Sequence, residues 1–132
     1  MPCNVLVIDD ERGLSQVLAI RLRAAGFTVA LAANGLSGLA SAQTDPPDAV
    51  VLDVRMPDID GFEVNARLKQ DPHLAGIPVI FLSANVQDSA KNEALAAGAF
   101  AYITKPYDQH QLIATVREAI SSRKPERSIS HA

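Results

Sequence analysis

The sequence predicts an α/β fold: a doubly wound, five-stranded parallel sheet with five helices. Short continuous apolar runs alternate along the chain with longer stretches whose apolar residues lie three and four apart, the periods of strands buried on both faces and of amphipathic helices. The 132 residues suit one domain, whereas a closed eight-unit barrel needs roughly twice that length. Polar groups end several of the apolar runs, namely Asp9-Asp10, Asp53, Ser83 and Lys105, where the carboxyl ends of neighbouring parallel strands converge.

Each element follows in order. Val5-Leu6-Val7-Ile8 is the first strand, and the helix after it carries Leu14, Val17, Leu18, Leu22 and Ala25 on one stripe, with Gly26 as its stop. Phe27-Thr28-Val29-Ala30-Leu31 forms the second strand. Asn34 caps a second helix whose apolar side uses Leu36, Leu39 and Ala40. After the third strand, Val50-Val51-Leu52, a helix begins near Gly61 and runs through Phe62, Val64 and Leu68 to the Asp71-Pro72 breaker. Gly76 and Pro78 frame the fourth strand, Val79-Ile80-Phe81-Leu82. The fourth helix, from Asp88 to Ala97, is built on Ala90, Ala94 and Ala97 with only Leu95 of any size, so it packs weakly and can shift before Gly98 ends it. Ala101-Tyr102-Ile103 is the fifth strand. The last helix opens with Asp108, has Gln111 three residues on in a capping-box arrangement, and buries Leu112, Val116, Ala119 and Ile120. From Lys124 onward the period is lost, so residues 1–123 read as the domain and 124–132 as a flexible tail or linker stump.

A formal charge of −3 with interspersed charges gives no electrostatic case for direct contact with nucleic acid or an anionic membrane. The N-terminus has no basic stretch followed by a long apolar one, and no run approaches a membrane span, which points to the cytoplasm. Cys3 has no partner for an internal disulfide, consistent with a reducing compartment. No Gly-x-x-x-x-Gly-Lys-Ser/Thr loop follows any strand, which disfavours nucleotide hydrolysis. His73, His110 and His131 lack metal spacing and read as surface or tail residues.

Three carboxylates brought together from Asp9, Asp10 and Asp53 repel one another, and a cation must balance them. Hard oxygen ligands without a usable His or Cys select Mg²⁺, with Mn²⁺ able to substitute. Asp53 is then a candidate nucleophile toward phosphorus, Lys105 a point charge for phosphate and Ser83 a donor to a phosphoryl oxygen. Asp58 and Asp60 read first as turn and helix-start chemistry. Glu11 serves either the outer shell of the metal or an exposed first turn, and Tyr102 either lines the core edge or takes part in a switch.

Four stretches carry a resemblance: Val5-Leu6-Val7-Ile8-Asp9-Asp10-Glu11, Val51-Leu52-Asp53-Val54-Arg55-Met56-Pro57-Asp58-Ile59-Asp60-Gly61, Phe81-Leu82-Ser83-Ala84 and Ile103-Thr104-Lys105-Pro106. In this order and spacing the chain resembles the chemotaxis-regulator-like receiver domain of two-component response regulators, over about residues 4 to 122. The resemblance implies a flavodoxin-like sheet of order 2-1-3-4-5. It also implies that Asp53 accepts a phosphoryl group from a phosphohistidine on a sensor histidine kinase or histidine phosphotransfer protein. Asp10 then ligates Mg²⁺ directly, Asp9 acts mostly through a metal-bound water, and the backbone carbonyl of Arg55 completes the protein ligands. Ser83 and Lys105 hold the phosphoryl oxygens, and the Lys105-Pro106 peptide is expected to be cis.

The resemblance further implies a switch, in which movement of Ser83 toward the phosphoryl group would let Tyr102 turn inward and change the face seen by a downstream protein partner or effector domain. Arg55 and Asn85, two positions after Asp53 and Ser83, occupy places where receivers vary and are expected to tune the lifetime of the phosphate. Such a protein is a signalling domain with at most self-phosphorylation and self-dephosphorylation activity. A degenerate scaffold receiver would normally lack one of these carboxylates. A phosphohydrolase of the haloacid-dehalogenase type needs an acid where Arg55 stands.

Overall fold

In the computed structural model, residues 2–130 are described, with side chains described for residues 2–123. The elements alternate strictly: β1 (Asn4–Ile8), α1 (Arg12–Ala24), β2 (Thr28–Ala32), α2 (Gly35–Thr44), β3 (Ala49–Asp53), α3 (Gly61–Gln70), β4 (Val79–Ser83), α4 (Asp88–Ala96), β5 (Ala101–Thr104) and α5 (Gln109–Ser130). All strand pairs are parallel and the order is β2-β1-β3-β4-β5, the flavodoxin-like arrangement expected. The order reverses between β1 and β3, so a crevice opens at their carboxyl ends.

Side-chain alternation divides the core. Leu6, Ile8, Val50, Leu52, Val79 and Phe81 face α2, α3 and α4, where they meet Leu39, Val64, Leu68 and Ala94. Val5, Val7, Val51, Ile80, Leu82 and Ile103 point the other way, onto Leu18 and Leu22 of α1 and Leu112 and Val116 of α5. Successive residues of one strand therefore feed two cores, which explains why the runs are apolar at every position. Phe81 is fully buried and packs against Phe62 with ring centroids 5.1 Å apart. Its truncation to alanine would cost about 3–5 kcal/mol.

The helices correct several expectations. In α1 the inward face is Ser15, Leu18, Ala19 and Leu22, while Leu14 and Val17 are exposed. Ser15 tolerates burial because its hydroxyl donates to the Arg12 carbonyl at 3.1 Å. In α2 the inward face is Gly35, Gly38, Leu39 and Ala42, and Leu36 is exposed. The glycines permit close approach: a Cβ on Gly38 would collide with the Ile8 side chain, and one on Gly35 would come within 2.5 Å of Ile59 Cγ1. The Asn34 cap forms as expected, its side chain accepting from Ser37 N at 2.8 Å.

Phe27 lies outside β2, because its N–H closes the end of α1 on the Leu22 carbonyl at 3.1 Å. Gly26 and Gly98 adopt φ of 103° and 95°, the left-handed geometry that stops α1 and α4. Of α4 only Ala94 is buried. Asp108 accepts from His110 N at 2.8 Å, an Asx turn in place of the expected capping box, which would need a bond to the Gln111 N–H. In the segment 124–132, expected as a tail or linker stump, the backbone is helical through Ser130, and residues 131–132 lie outside the described ones. Among the described residues, no helix is long and apolar enough to cross a membrane.

Candidate functional site

Each site residue owes its position to a strand end. β1 delivers Asp9 and Asp10 just beyond Ile8, and the Asp9 N–H extends the ladder to the Ala32 carbonyl at 3.0 Å. β3 ends in Asp53 itself, and β4, registered beside it, ends in Ser83. β5 stops at Thr104, and the next residue donates its N–H to the Ser83 carbonyl at 2.8 Å, which fixes the start of the Lys105 side chain. The Lys105-Pro106 peptide is cis.

Carboxylate oxygens of Asp9, Asp10 and Asp53 all lie within 4.8 Å of one another. Asp9 and Asp53 are buried, and Asp10 is exposed. Lys105 Nζ donates to Asp53 Oδ2 at 3.2 Å and lies 3.9 Å from Asp9 Oδ2 and 3.8 Å from Glu11 Oε1. The Asp9 carboxyl is pushed up to about 6, first by burial and then by the negative charge of Asp53, against the pull of the Glu11 N–H and Lys105. Burial pulls the Lys105 ammonium down, but Asp53, Asp9 and Glu11 together outweigh it and hold the group above its ordinary value. The donor set fits a hard divalent cation: three converging carboxylate oxygens with one carboxyl held toward protonation, and a single lysine as their compensation.

A cleft of about 210 Å³ gathers Asp10, Glu11, Asp53, Arg55, Ser83, Ala84 and Lys105. It adjoins a second, of about 400 Å³, whose walls include Val54, Phe62, Asn85, Ala90 and Tyr102 and which shares Arg55, Ser83 and Ala84 with the first. Ser83 Oγ accepts from Asn85 N at 3.1 Å, and the Tyr102 hydroxyl donates to the Asn85 carbonyl at 2.9 Å. Asn85 Oδ1 accepts from Gln87 N at 2.9 Å. The Arg55 N–H approaches Asp53 Oδ1 at 3.4 Å, and the Arg55 residue is exposed.

Asp60 caps α3 by accepting from Glu63 N at 2.9 Å, the helix-start role expected of it. Asp58 performs the same chemistry on a different helix, accepting from Gly35 N at 3.0 Å and Leu36 N at 2.8 Å at the start of α2. Gly61 closes the loop with its N–H on the Val54 carbonyl at 2.8 Å, where a Cβ would stand 2.6 Å from the Asp53 carbonyl oxygen. The sequence gives no sign of a third cleft, of about 410 Å³, lined by Asp9, Leu14, Val17, Lys105, Pro106, Tyr107 and Gln109.

A doubly wound sheet with acids and a lysine converging at its switch point defines the class, a receiver-type signalling domain. The response regulator receiver domain model matches residues 5–117, and the chain belongs to that family. It is 40% identical to the DNA-binding dual master transcriptional regulator RpaA of Synechocystis sp., over 86% of this chain and 47% of that protein. It is also 40% identical to the transcriptional regulatory protein KdpE of Mycobacterium tuberculosis, over 88% of this chain and 50% of that protein. The chain thus spans about half the length of these curated relatives. Among solved structures, the receiver domain of Francisella response regulator 1452 superposes with a TM-score of 0.86 at 30% identity, covering 91% of this chain and 98% of that one. Chemotaxis protein CheY4 of Vibrio cholerae gives 0.85 at 29% identity, covering 90% and 99%.

Proposed function

We propose that this chain is a phosphorylation-controlled binding module in which Asp53 accepts a phosphoryl group from a phosphohistidine on a sensor histidine kinase or histidine phosphotransfer protein. The observation that carries this reading is the meeting at one sheet edge of three carboxylates within 4.8 Å with Lys105 at 3.2 Å from Asp53. Asp9, Asp10, Asp53 and the backbone carbonyl of Arg55 would hold Mg²⁺, or Mn²⁺ in its place. The metal would supply neutralisation of the charge on the transferring group.

An Asp53 oxygen attacks phosphorus in line as the donor imidazole nitrogen departs with the electrons of the P–N bond, leaving an acyl phosphate. Lys105 and the Ser83 hydroxyl bind phosphoryl oxygens, and hydrolysis of the acyl phosphate resets the domain. For docking of the donor, Leu14, Val17 and Ile20 offer an apolar strip, respectively 52%, 46% and 64% exposed. It borders the cleft that Asp9, Lys105, Pro106 and Tyr107 also line.

The switch runs through contacts already made. As Ser83 turns to a phosphoryl oxygen, its bond from the Asn85 N–H is lost, and the Asn85 carbonyl is the acceptor that holds Tyr102. Tyr102 then turns into the cleft walled by Phe62 and Ala90, and the thinly anchored α4 follows. The altered face addresses a downstream protein partner or an effector domain in the cytoplasm. A few kcal/mol of differential interaction inverts such an equilibrium.

The test is incubation with Mg²⁺ and acetyl phosphate or a phosphorylated kinase. One base-labile phosphate is expected, absent in Asp53→Asn, and beryllofluoride should bind only with metal present. Unchanged labelling of Asp53→Asn would overturn the assignment.

A further inference from the structure

The loop between β3 and α3 carries the Arg55 carbonyl, and it is secured at both ends. Val54 N–H donates to the Leu82 carbonyl at 3.2 Å, and Gly61 N–H returns to the Val54 carbonyl at 2.8 Å. Between Arg55 and Asp60, the polar tie among the described residues is the Asp58 carboxylate, bonded to the Gly35 and Leu36 amides of α2. Those amides are two of the four that a helix start leaves without internal acceptors, and Asn34 Oδ1 takes a third, Ser37 N. The first turn of α2 has no acid of its own, so Asp58 supplies the negative charge its dipole favours from 22 residues away. Ile59 seats on Gly35 beside this contact, in space that any side chain at Gly35 would occupy.

We propose that Asp58 is a positioning residue for the metal site: by clamping the loop onto the first turn of α2 it fixes the Arg55 carbonyl beside Asp53, and so couples metal affinity to a helix that carries no metal ligand. The inference rests on the reading of Asp53 and Arg55 given above. A ligand carbonyl on a free loop must be ordered at the moment of binding, whereas one on a clamped loop is ordered beforehand. Coupling is reciprocal, so a metal bound at the sheet edge must in turn steady the first turn of α2.

The experiment is a Mg²⁺ titration, followed by calorimetry, of the wild type, Asp58→Ala, Asp58→Asn and Asn34→Ala. Asp58→Ala should weaken binding about tenfold, the scale seen when a partner that orients a metal ligand is removed. Asp58→Asn keeps an acceptor and should recover part of the loss. Asn34→Ala removes a cap from the same helix without touching the loop, so it should lower Tm yet leave the Mg²⁺ Kd unchanged. Hydrogen exchange on the wild type needs no variant: the Gly35 and Leu36 amides should exchange severalfold more slowly with Mg²⁺ than with chelator. Equal Kd values for Asp58→Ala and wild type, equal weakening by Asn34→Ala, or exchange at Gly35 and Leu36 that ignores Mg²⁺ each overturn the proposal. A wild type that binds no Mg²⁺ overturns the metal site itself, an outcome distinct from the others.

Discussion

Lys105 Nζ lies 3.2 Å from Asp53 Oδ2, although Asp53 ends β3 and Lys105 follows β5, strands that are separated in the sheet by β4. The lysine therefore reaches across Ser83 to compensate acids on the far side of the crevice. Its ammonium compensates the same acids that would hold a divalent cation. Lys105→Ala should accordingly separate two properties. Removal of a nearby positive charge should tighten Mg²⁺ binding by about 1 kcal/mol, roughly fivefold in Kd. Phosphorylation by acetyl phosphate should meanwhile slow by about a hundredfold, because a charge aimed at the transferring group is lost. Calorimetry and a phosphorylation time course measure the two, and loss of both together would show that Lys105 acts only by holding the site in shape.

Asp9 gives the pH dependence a definite sign. Its folded-state carboxyl is raised from 3.8 to about 6, first by burial. Below pH 3.8 the group is protonated in both folded and unfolded chains and contributes nothing. As pH rises from there through 6, the unfolded chain releases the proton before the folded one does, so stability is lost, and the loss is complete above 6. The full effect is about 3 kcal/mol at neutral pH. In chelator, urea denaturation should find Asp9→Asn more stable than wild type at pH 7 by about that amount, with the difference falling below about 1 kcal/mol near pH 4. Saturating Mg²⁺ should reverse the order at pH 7, since the metal binds the folded carboxylate. A difference that stays flat from pH 4 to 7 would contradict this account.

The strands were legible because a strand buried on both faces has to be apolar throughout. Their ends were less so: Asn4, Asp53, Ser83 and Thr104 are terminal strand residues despite polar side chains, since ladder hydrogen bonds do not depend on side-chain polarity. The inward faces of α1 and α2 include Leu18, Leu22 and Leu39 as the apolar pattern predicts, but depart from it elsewhere for two reasons. Ser15 is polar yet satisfied by a local carbonyl, and Gly35 and Gly38 mark contact through the absence of a side chain. At the site, Asp9, Asp10, Asp53, Ser83 and Lys105 could be located because each stands at or just beyond a strand end. The roles of Glu11 beside Lys105, and of Asp58 on α2, depend on contacts between distant segments that no local pattern encodes.

In the proposed function, Arg55 and Asn85 set how long the phosphate lasts. Arg55 lines both the acid cleft and the one that Tyr102 also lines, and it is exposed, which would let its charge hinder the approach of water to Asp53. Arg55→Ala should admit water and speed dephosphorylation by about three- to tenfold, the effect of losing one contact worth about 1 kcal/mol. The Asn85 side chain is already engaged with Gln87 N, so Asn85→Ala acts by loosening the loop after Ser83 and should change the rate less. Decay of labelled phosphoprotein under excess chelator-free Mg²⁺ measures both. Rates equal to wild type in both variants would remove the assignment.

The Tyr102 hydroxyl donates to the Asn85 carbonyl, and Asn85 N–H donates to Ser83 Oγ, so the two residues of the proposed switch are joined through one loop residue. α4, which follows that loop, buries only Ala94 and is held besides by Asn65 Nδ2 on the Ala97 carbonyl at 3.0 Å. Little packing therefore opposes its movement. Tyr102→Phe deletes one neutral hydrogen bond, worth about 1 kcal/mol, and leaves the ring free to turn without phosphorylation. Its unphosphorylated amide NMR spectrum over residues 83–107 should therefore be displaced part of the way toward that of the beryllofluoride-bound wild type, with β1 and β3 unaffected. If beryllofluoride leaves the wild-type shifts of residues 83–107 where they were, no switch passes through this face. If the wild type responds but Tyr102→Phe starts from the same resting spectrum, the hydroxyl bond is not what holds the resting state.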